Sequence, residues 1–413
     1  MIAALAEGTS RIINSSTSAD CSATVDCLQQ LGVSIERDGR DLLIHGVGRE
    51  GLRNPAAPLD CQNSGTTMRL LAGILASQNF TSELTGDASL RSRPMQRIIE
   101  PLEMMGAHIS SHEGRAPLTI HGRRPLTAIT YKLLVASAQV KSCVLLAGLK
   151  AEGRTEVIEN EATRDHTERM LRWFGVDVET GHAEREGETA RSAAVSGPAR
   201  LIARDVSIPS DISSAAYFIS AAVLLPGSSI EIENVGVNPT RAAFLGQLRT
   251  LGFDVNVGDI REESNEPVGA VRAHHADQSH GADFQRPFLI DGLMIPQLID
   301  ELPLLAIVGS QVPGGIEIRD AAELRVKESD RIATTAAGLR AMGAEVEEFD
   351  DGLRVAGPAK LRGAKIDSRG DHRIAMAFSV AGLIAEGETE IKDEDCVAVS
   401  FPNFFDLLNT AVE

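Results

Sequence analysis

The chain has 413 residues, 43% hydrophobic and 24% charged, a composition typical of a globular protein with two or three domains. Its formal net charge of −18 argues against a nucleic-acid-binding or membrane-docking protein, because both need a basic surface. The five cysteines lack a Cys-x-x-Cys pair and no apolar run reaches the length of a membrane span. We therefore expect a cytoplasmic protein without disulfide bonds.

A short motif recurs five times, in which an amphipathic helix ends in an apolar residue, then glycine, then a β-prone run. The copies are LGVSIE at 31, MGAHIS at 105, FGVDVE at 174, LGFDVN at 251 and MGAEVE at 342. Glycine at this place is typical of the left-handed residue that follows a helix. Before the last copy, Ile332, Ala336 and Leu339 form one apolar stripe, which predicts a helix running up to Gly343.

A second motif, an Ala- and Leu-rich helix followed by a turn and a β-prone run, recurs six times. Its turn positions are Gly8, Asn79, Gly153, Gly227, Gly314 and Gly387, spaced 71 to 87 residues apart. This periodicity predicts six copies of one α/β unit with two helices in each. The longest interval contains the polar residues 262–285, which we interpret as a surface insertion.

Polar or charged residues open the apolar helix in copies two to six. These openings begin at Asn63, Ser137, Asp211, Asp300 and Asp371. Helix N-termini carry N–H groups without intrahelical partners, so they are suited to bind anions. In copy one the chain starts inside the helix, and we expect a start codon assigned too far downstream; a degraded gene is the alternative.

Residues 323–331 contain six ionisable side chains in nine positions, at the start of the helix predicted to end at Gly343. If Glu328 and Arg331 are both helical they share a face, three residues apart. Such a helix start suits an anionic substrate. The alternative is a solvated first turn whose carboxylates favour the helix dipole.

Seven segments occur in an order that resembles the 5-enolpyruvylshikimate 3-phosphate synthase family over essentially the whole chain. They are Asn63-Ser64-Gly65-Thr66-Thr67-Met68-Arg69, Gly86-Asp87 with Arg93-Pro94-Met95, Ser137-Ala138-Gln139, Thr163-Arg164-Asp165-His166, Asp300-Glu301-Leu302-Pro303, Arg325-Val326-Lys327-Glu328-Ser329-Asp330-Arg331 and Asp371-His372-Arg373. The resemblance implies an α/β (α+β) fold, a two-domain inside-out barrel of six βαβαββ repeats, three per domain, with the first repeat truncated. It places the domains at 1–207 and 208–413, with helix N-termini facing a cleft.

The family's reaction, implied by this resemblance, joins shikimate 3-phosphate to phosphoenolpyruvate and releases phosphate, without a metal or an organic cofactor. The 5-hydroxyl attacks C2 of phosphoenolpyruvate, C3 gains a proton, and the tetrahedral adduct then expels phosphate. We expect these two small molecules as ligands, no nucleic-acid or membrane partner, and a monomer.

Three residues match the family's catalytic positions. Asp300 matches the aspartate beside the 5-hydroxyl, Glu328 the glutamate that moves the proton at C3, and Lys327 the lysine shared by both substrates. A helix cap is the alternative for Asp300, and solvated surface charge is the alternative for the other two.

Ten residues match substrate-binding positions. Arg93, Arg331 and Arg373 match the arginines on phosphoenolpyruvate, where forked guanidinium groups suit carboxylate and phosphate. Ser137, Gln139 and Arg164 match the shikimate 3-phosphate site, with Ala138 at a position often occupied by serine. Asn63, Gly65 and Thr66 match the segment on the phosphoenolpyruvate side; helix caps and plain turns are the alternatives for the serine, glutamine and glycine.

Two departures from the family pattern bear on activity. An opening Lys-Ser-x-Ser-His-Arg segment is absent, and Val399 stands where some members carry a lysine. Because the opening segment contacts both substrates in the family, the chain as written is expected to be impaired, and a substrate-binding remnant is one alternative function. The absence of the lysine charge at Val399 is either a subgroup difference or a weakening of phosphoenolpyruvate binding. A UDP-sugar enolpyruvyl transferase is another, but no cysteine here lies in the Arg- and Gly-rich loop expected for it.

Three histidines of the polar segment, His274, His275 and His280, lack metal-ligand spacing. We expect no metal there.

Overall fold

The computed structural model describes residues 1–48, 50–185, 188–276 and 286–412. The chain divides into two compact units. Unit 1 comprises Met1–Ile208 with Glu263–Glu266, and unit 2 comprises Pro209–Glu262 with Pro267–Glu413. Each unit buries a hydrophobic core of its own.

Unit 1 contains seven helices and thirteen strands within the described residues. The helices are α1 (Ile2–Leu5), α2 (Ala19–Gln30), α3 (Gly65–Ala76), α4 (Ala88–Ser92), α5 (Gln96–Met104), α6 (Ala138–Gly148) and α7 (His166–Trp173). The strands are β1 (Glu7–Ile13), β2 (Ser34–Asp38), β3 (Asp41–Val47), β4 (Leu59–Asp60), β5 (Thr81–Thr85), β6 (His108–His112), β7 (Arg115–His121), β8 (Leu126–Thr127), β9 (Thr130–Lys132), β10 (Ala151–Glu159), β11 (Val178–Arg185), β12 (Glu188–Gly197) and β13 (Val206–Ser207).

Unit 2 contains the remaining elements of the described chain, with three short 3-10 helices at Gly292–Met294, Ala322–Val326 and Glu394–Val399. Its α-helices are α8 (Ile212–Leu224), α9 (Ala243–Thr250), α10 (Ile295–Leu298), α11 (Leu302–Gly309), α12 (Arg331–Ala341), α13 (His372–Ile384) and α14 (Phe404–Val412). Its strands are β14 (Ser229–Gly236), β15 (Asp254–Glu263), β16 (Glu266–His274), β17 (Phe288–Ile290), β18 (Ile316–Ile318), β19 (Val346–Phe349), β20 (Gly352–Val355), β21 (Lys365–Asp367) and β22 (Glu390–Lys392).

The strands of the described chain form six sheets, three in each unit, as expected for six repeats. In unit 1 the orders are β13-β1-β3-β2, β4-β5-β7-β6 and β11-β12-β10-β8, with β9 also paired to β10. In unit 2 they are β14-β16-β15, β17-β18-β20-β19 and β21-β22. The second sheet shows the whole predicted βαβαββ unit, because β4 is parallel to β5 while β7 is antiparallel to both β5 and β6. The α/β fold class is confirmed.

The helix-ending glycines have the predicted left-handed backbone. The φ angles are +89° at Gly32, +98° at Gly106, +86° at Gly175, +90° at Gly252 and +91° at Gly343. At the first of these the N–H of Val33 returns to the carbonyl of Leu28 at 3.0 Å, which satisfies an end carbonyl of α2. The helix predicted before Gly343 is α12, which ends at Ala341.

Two glycines allow pairs of helices to pack closely. A Cβ on Gly73 of α3 would lie 2.2 Å from the carbonyl oxygen of Cys143 of α6, and a Cβ on Gly338 of α12 would lie 2.3 Å from the Phe378 ring of α13. No side chain fits at either contact. The helices α3 and α6, and likewise α12 and α13, therefore approach each other closely at these points within their units.

The predicted insertion at 262–285 is wrong for its first part. Residues up to His274 belong to the β15–β16 pair, where Val268, Val271 and Ala273 are buried. Polar residues on either side of this segment hid its strand pattern in the sequence. Residues 277–285, including His280, lie outside the described residues.

Two of the predicted turn glycines lie inside strands: Gly8 is in β1 and Gly153 is in β10. Both have left-handed φ angles of +106° and +107°. The special backbone conformation was therefore identified, but not the element that contains it.

In the described chain, no single helix is long and apolar enough to cross a membrane. The bent pair Gly292–Leu298 and Leu302–Gly309 meets that test only when the two helices are taken together, and they meet at 110°.

Candidate functional site

The five helices that were predicted to have polar starts are α3, α6, α8, α11 and α13. Each begins directly after the polar residues identified from the sequence. Ser64, Ser137, Asp211 and Asp371 are N-caps, each accepting a backbone N–H with its side chain. For Ser137 the acceptor bond comes from Val140 N at 3.4 Å. The helix cap that was the alternative interpretation of Ser137 is therefore present.

In unit 1, Asn63 and Arg93 lie side by side just outside regular structure. Arg93 is 6% exposed, and its Nη2 donates to Asn63 Oδ1 at 2.7 Å. The amide of Asn63 donates in turn to Asp87 Oδ2 at 2.7 Å. Asp87 also caps α4, so a chain of bonds orients the guanidinium between α4 and α5.

Gln139 connects the starts of α6 and α3. Its Nε2 donates to Thr66 Oγ1 at 2.8 Å, and its Oε1 accepts from Arg69 Nη1 at 2.6 Å. Arg69 is a buried arginine that the sequence reasoning missed. The available signal was its position four residues after Gly65, within the motif at residues 63–69.

Gly65 lies beneath the two guanidinium groups. A Cβ there would be 2.8 Å from Arg69 Nη1 and 3.4 Å from Arg93 Nη1. Since this glycine does not have a left-handed φ, close packing against the two guanidinium groups explains the residue type. Asn63, Gly65, Thr66, Arg93 and Gln139 are therefore brought together, while Ala138 opens α6 next to Gln139.

Arg164 lies in the irregular segment between β10 and α7, half-buried. Its neighbour Thr163 is bound to Glu159 at the end of β10. Arg164 therefore follows a residue that is fixed to the end of β10.

In unit 2, Arg331 is the first residue of α12 and only 1% exposed. Its Nε and Nη2 donate to Asp371 at 2.8 and 3.2 Å, and Nη2 also donates to Glu328 Oε2 at 2.5 Å. The buried Nη1 makes no hydrogen bond within the described part of the chain and lies 3.7 Å from Asp300 Oδ1. Two of the three guanidinium nitrogens are therefore already used by carboxylates.

Asp300 is surrounded by guanidinium groups. Its carboxylate lies 3.5 Å from Arg373 Nη2, 3.7 Å from Arg331 Nη1 and 3.8 Å from Arg241 Nη2. The N-cap of α11 is Glu301, so the alternative of a cap at Asp300 is wrong. An anionic Asp300 is compensated from three sides.

Arg241 was also missed by the sequence reasoning. It follows Thr240, as Arg164 follows Thr163 in the preceding repeat, and this parallel was the available signal. Its Nη1 donates to both oxygens of buried Glu301 at 3.0 and 3.2 Å. Ser213 contacts both side chains.

Residues 323–331 contain one part that anchors the segment to a neighbouring turn and one part that leads into α12. Arg325 donates to the carbonyls of Asp350 and Phe349, both at 2.7 Å, and pairs with Asp330 at 2.7 Å. These contacts fix the segment to the β19–β20 turn. The helix begins only at Arg331, so the condition that Glu328 is helical is not met, although the two side chains do meet.

Lys327 and His372 have pKa values that burial shifts. Desolvation lowers the pKa of Lys327, and the nearby Asp300 and Glu323 only partly oppose it. Desolvation and then Arg373 lower the pKa of His372 to about 4. At neutral pH His372 is therefore uncharged, while Lys327 loses its proton more readily than an ordinary lysine.

Among the described residues, no cluster of three or more His, Cys, Asp or Glu side chains could hold a metal ion. His275 instead contacts the carbonyl of Val223 at 3.0 Å through Nδ1.

Comparisons with known proteins agree over the whole chain. The model of the family EPSP synthase (3-phosphoshikimate 1-carboxyvinyltransferase) matches residues 1–408. A Koribacter versatilis protein named 3-phosphoshikimate 1-carboxyvinyltransferase is 51% identical over 100% of this chain and 93% of its own length. A protein of the same name from Solibacter usitatus is 47% identical over the same shares.

Solved structures give the same result. An EPSP synthase from Acinetobacter baumannii matches with a TM-score of 0.83 and 42% identity, covering 100% of this chain and 92% of that one. The enolpyruvyl transferase NikO from Streptomyces tendae matches with a TM-score of 0.75, 100% and 91% coverage, and 20% identity, which supports the fold alone. The family model, the named relatives and the Acinetobacter baumannii structure define a carboxyvinyl-transferring class of enzyme.

The chain belongs to the EPSP synthase (3-phosphoshikimate 1-carboxyvinyltransferase) family. The names of the matched relatives do not favour the UDP-sugar transferase or the substrate-binding remnant.

Proposed function

We propose that this chain transfers the carboxyvinyl group of phosphoenolpyruvate to the 5-hydroxyl of shikimate 3-phosphate and releases phosphate. The observation that carries the proposal is the match to a carboxyvinyltransferase at 51% identity over the full length of this chain. The side chains gathered in each unit provide the chemistry that this reaction requires.

The unit 1 residues are assigned to substrate binding. Arg93 and the Gln139–Thr66 pair would orient the substrates, with Asn63 and Gly65 on the phosphoenolpyruvate side. Ser137, Ala138 and Arg164 would face the phosphate of shikimate 3-phosphate. This assignment is supported by the N–H groups at the starts of α3 and α6 and by buried guanidinium groups held in fixed orientations, which favour anions.

The unit 2 residues are assigned to chemistry. Asp300 would take the proton of the attacking 5-hydroxyl as the C2–O bond forms. Glu328 would deliver a proton to C3, making a methyl group, and would remove one again when the C2–O bond to phosphate breaks. Lys327, Arg331 and Arg373 would stabilise the negative charge of phosphoenolpyruvate and of the departing phosphate.

Turnover of the purified chain with both substrates tests the proposal, and its rate also tests the impairment expected from the sequence. Phosphate release should accompany formation of an enol ether product, detected by mass spectrometry. Glu328→Gln and Asp300→Asn should lower kcat by about 10²- to 10⁴-fold and change substrate affinities much less, since proton transfer acts in the transition state. Glu345→Gln, an exposed carboxylate in the same unit, is the matched control and should leave kcat unchanged.

Failures of this experiment separate the claims. Binding of both substrates without phosphate release would contradict the proposed transfer. Normal kcat in Glu328→Gln, with turnover in the wild type, would contradict only the role of Glu328.

The five cysteines are all free, which supports the further proposal of a reducing, cytoplasmic location.

A further inference from the structure

Lys141 is a buried lysine on α6, one turn after the helix start that carries Ser137, Ala138 and Gln139. Its side chain is 1% exposed, so it is not accessible to a ligand. A buried ammonium group is stable only when nearby carboxylates compensate its charge. The carboxylates that do so identify what Lys141 holds in place.

Two glutamates meet Lys141 Nζ, one from each side of the segment that contains Arg164. Glu159 is the last residue of β10 and its Oε1 lies 3.2 Å from Nζ. Glu168 is in the first turn of α7 and its Oε1 lies 2.7 Å away. Both carboxylate side chains are less than one-tenth exposed. The two ends of the 160–165 segment are therefore joined to α6 through a single lysine.

Thr163 connects this ion cluster to the residue next to Arg164. Its hydroxyl donates to Glu159 Oε2 at 2.6 Å, and its backbone N–H donates to the same oxygen at 3.2 Å. Thr163 is itself 5% exposed. One carboxylate oxygen of Glu159 therefore pairs with Lys141 of α6. The other accepts hydrogen bonds from Thr163, the residue before Arg164.

A second link reinforces the same contact between helices. Ser142 Oγ, next to Lys141, lies 2.6 Å from Thr167 Oγ1, next to Glu168. Desolvation raises the pKa of Glu168, although Lys141 opposes the shift.

We propose that Lys141, Glu159, Glu168 and Thr163 are positioning residues that hold the Arg164 guanidinium in register with the start of α6. Preorganisation matters because a binding group displaced by about 1 Å loses most of its advantage. The inference rests on the proposed function, where Arg164 is assigned to the phosphate of shikimate 3-phosphate.

Calorimetric titration of shikimate 3-phosphate into Thr163 variants tests this inference. Thr163→Val removes the hydroxyl without changing side-chain size, and should weaken binding by about tenfold. Thr163→Ser keeps the hydroxyl and should restore affinity to within about threefold of wild type. Thr155→Val is the matched control, because this buried β10 threonine has a hydroxyl without a hydrogen-bond partner within the described residues; its affinity should be unchanged.

A double-mutant cycle distinguishes positioning from simple stabilisation. With Arg164→Ala in the background, Thr163→Val should change affinity by less than about twofold, since its effect passes through the missing guanidinium. An equal loss in both backgrounds, or wild-type affinity in Thr163→Val, would overturn the inference. Lys141→Met should reproduce the Arg164-dependent loss if it folds, as judged by its melting temperature.

The cycle also separates this inference from the proposed function. A wild-type chain that does not bind shikimate 3-phosphate defeats the proposed function. Normal binding in Arg164→Ala alone defeats the assignment of Arg164, and the positioning inference with it, while leaving the family reaction intact.

Discussion

Arg331 and Asp371 form a forked ion pair with almost no access to solvent. Nε to Oδ2 is 2.8 Å and Nη2 to Oδ1 is 3.2 Å, with side-chain exposures of 1% and 0%. Burial alone would lower the pKa of Arg331, but Asp371 and Glu328 outweigh it and the pKa is raised. The first residue of α12 is thereby fixed to the N-cap of α13.

Asp371→Asn should therefore be strongly destabilising. The variant leaves a buried guanidinium short of a compensating charge and should cost about 3–5 kcal/mol in the free energy of unfolding. Urea unfolding followed by circular dichroism measures it. The exposed pair of Lys365 and Glu390, 2.8 Å apart, gives the control: Glu390→Gln should have wild-type stability. Equal midpoints for the two variants would show that the buried pair is not a stabilising contact.

Lys327 should limit activity at alkaline pH. Because desolvation lowers its pKa, Lys327 loses its charge below the usual lysine value as pH rises, and attraction for the anionic substrates falls with it. The alkaline limb of kcat/KM should therefore lie below about pH 10.4, the ordinary lysine value. Lys327→Arg keeps its charge and should move that limb upward. An unchanged limb in this variant would assign it to another group.

His372 should contribute to acid instability. Its folded pKa of about 4 lies below the ordinary value of 6.5, so the unfolded chain binds a proton first as pH falls. The resulting loss of stability is absent above about pH 6.5, grows as pH falls, and reaches about 3 kcal/mol near pH 4.

His372→Gln should remove this part of the pH dependence, which urea unfolding at pH 7 and pH 4.5 would show. His182→Gln, at an exposed position of β11, should retain it. The same pH slope in both variants would mean that other groups dominate acid unfolding.

Gly65→Ala should impair binding without unfolding the chain. The new methyl group would displace the Arg69 guanidinium from 2.8 Å and disturb its bond to Gln139. We expect the KM for phosphoenolpyruvate to rise several-fold while stability stays within about 1 kcal/mol of wild type.

The matched control is Gly246→Ala in α9, where a Cβ meets nothing within 4 Å. It should raise stability by about 0.5–1 kcal/mol and leave KM unchanged. A normal KM in Gly65→Ala would show that Arg69 adapts without affecting the substrate.

Local chemistry made several features predictable. Glycines after Leu31, Met105 and Met342 marked helix ends, because only a residue without Cβ readily adopts the left-handed backbone needed there. Polar residues such as Asn63 and Asp371 marked helix starts for a similarly local reason. The β15–β16 strand pair was missed, since pairing over a sheet depends on residues elsewhere in the chain.

The same distinction between local signals and distant contacts applies to the site residues. The stretch 323–331 was identified by its charges, but the sequence did not separate Arg325, which binds the β19–β20 turn, from Arg331, which binds Asp371. The positional signals of Arg69 and Arg241, and the local sequence around Lys141, are too weak to distinguish these residues from surface charges. Each became recognisable only through partners distant in the chain.

The sequence by itself determined the repeating unit, several helix ends and the family, because backbone preferences and short motifs depend on neighbouring residues. Tertiary structure alone decided which charges are buried and what compensates them. The cost of burying a charge depends on the carboxylates that packing brings within about 4 Å, and for Arg331 one of them is Asp371, forty residues away.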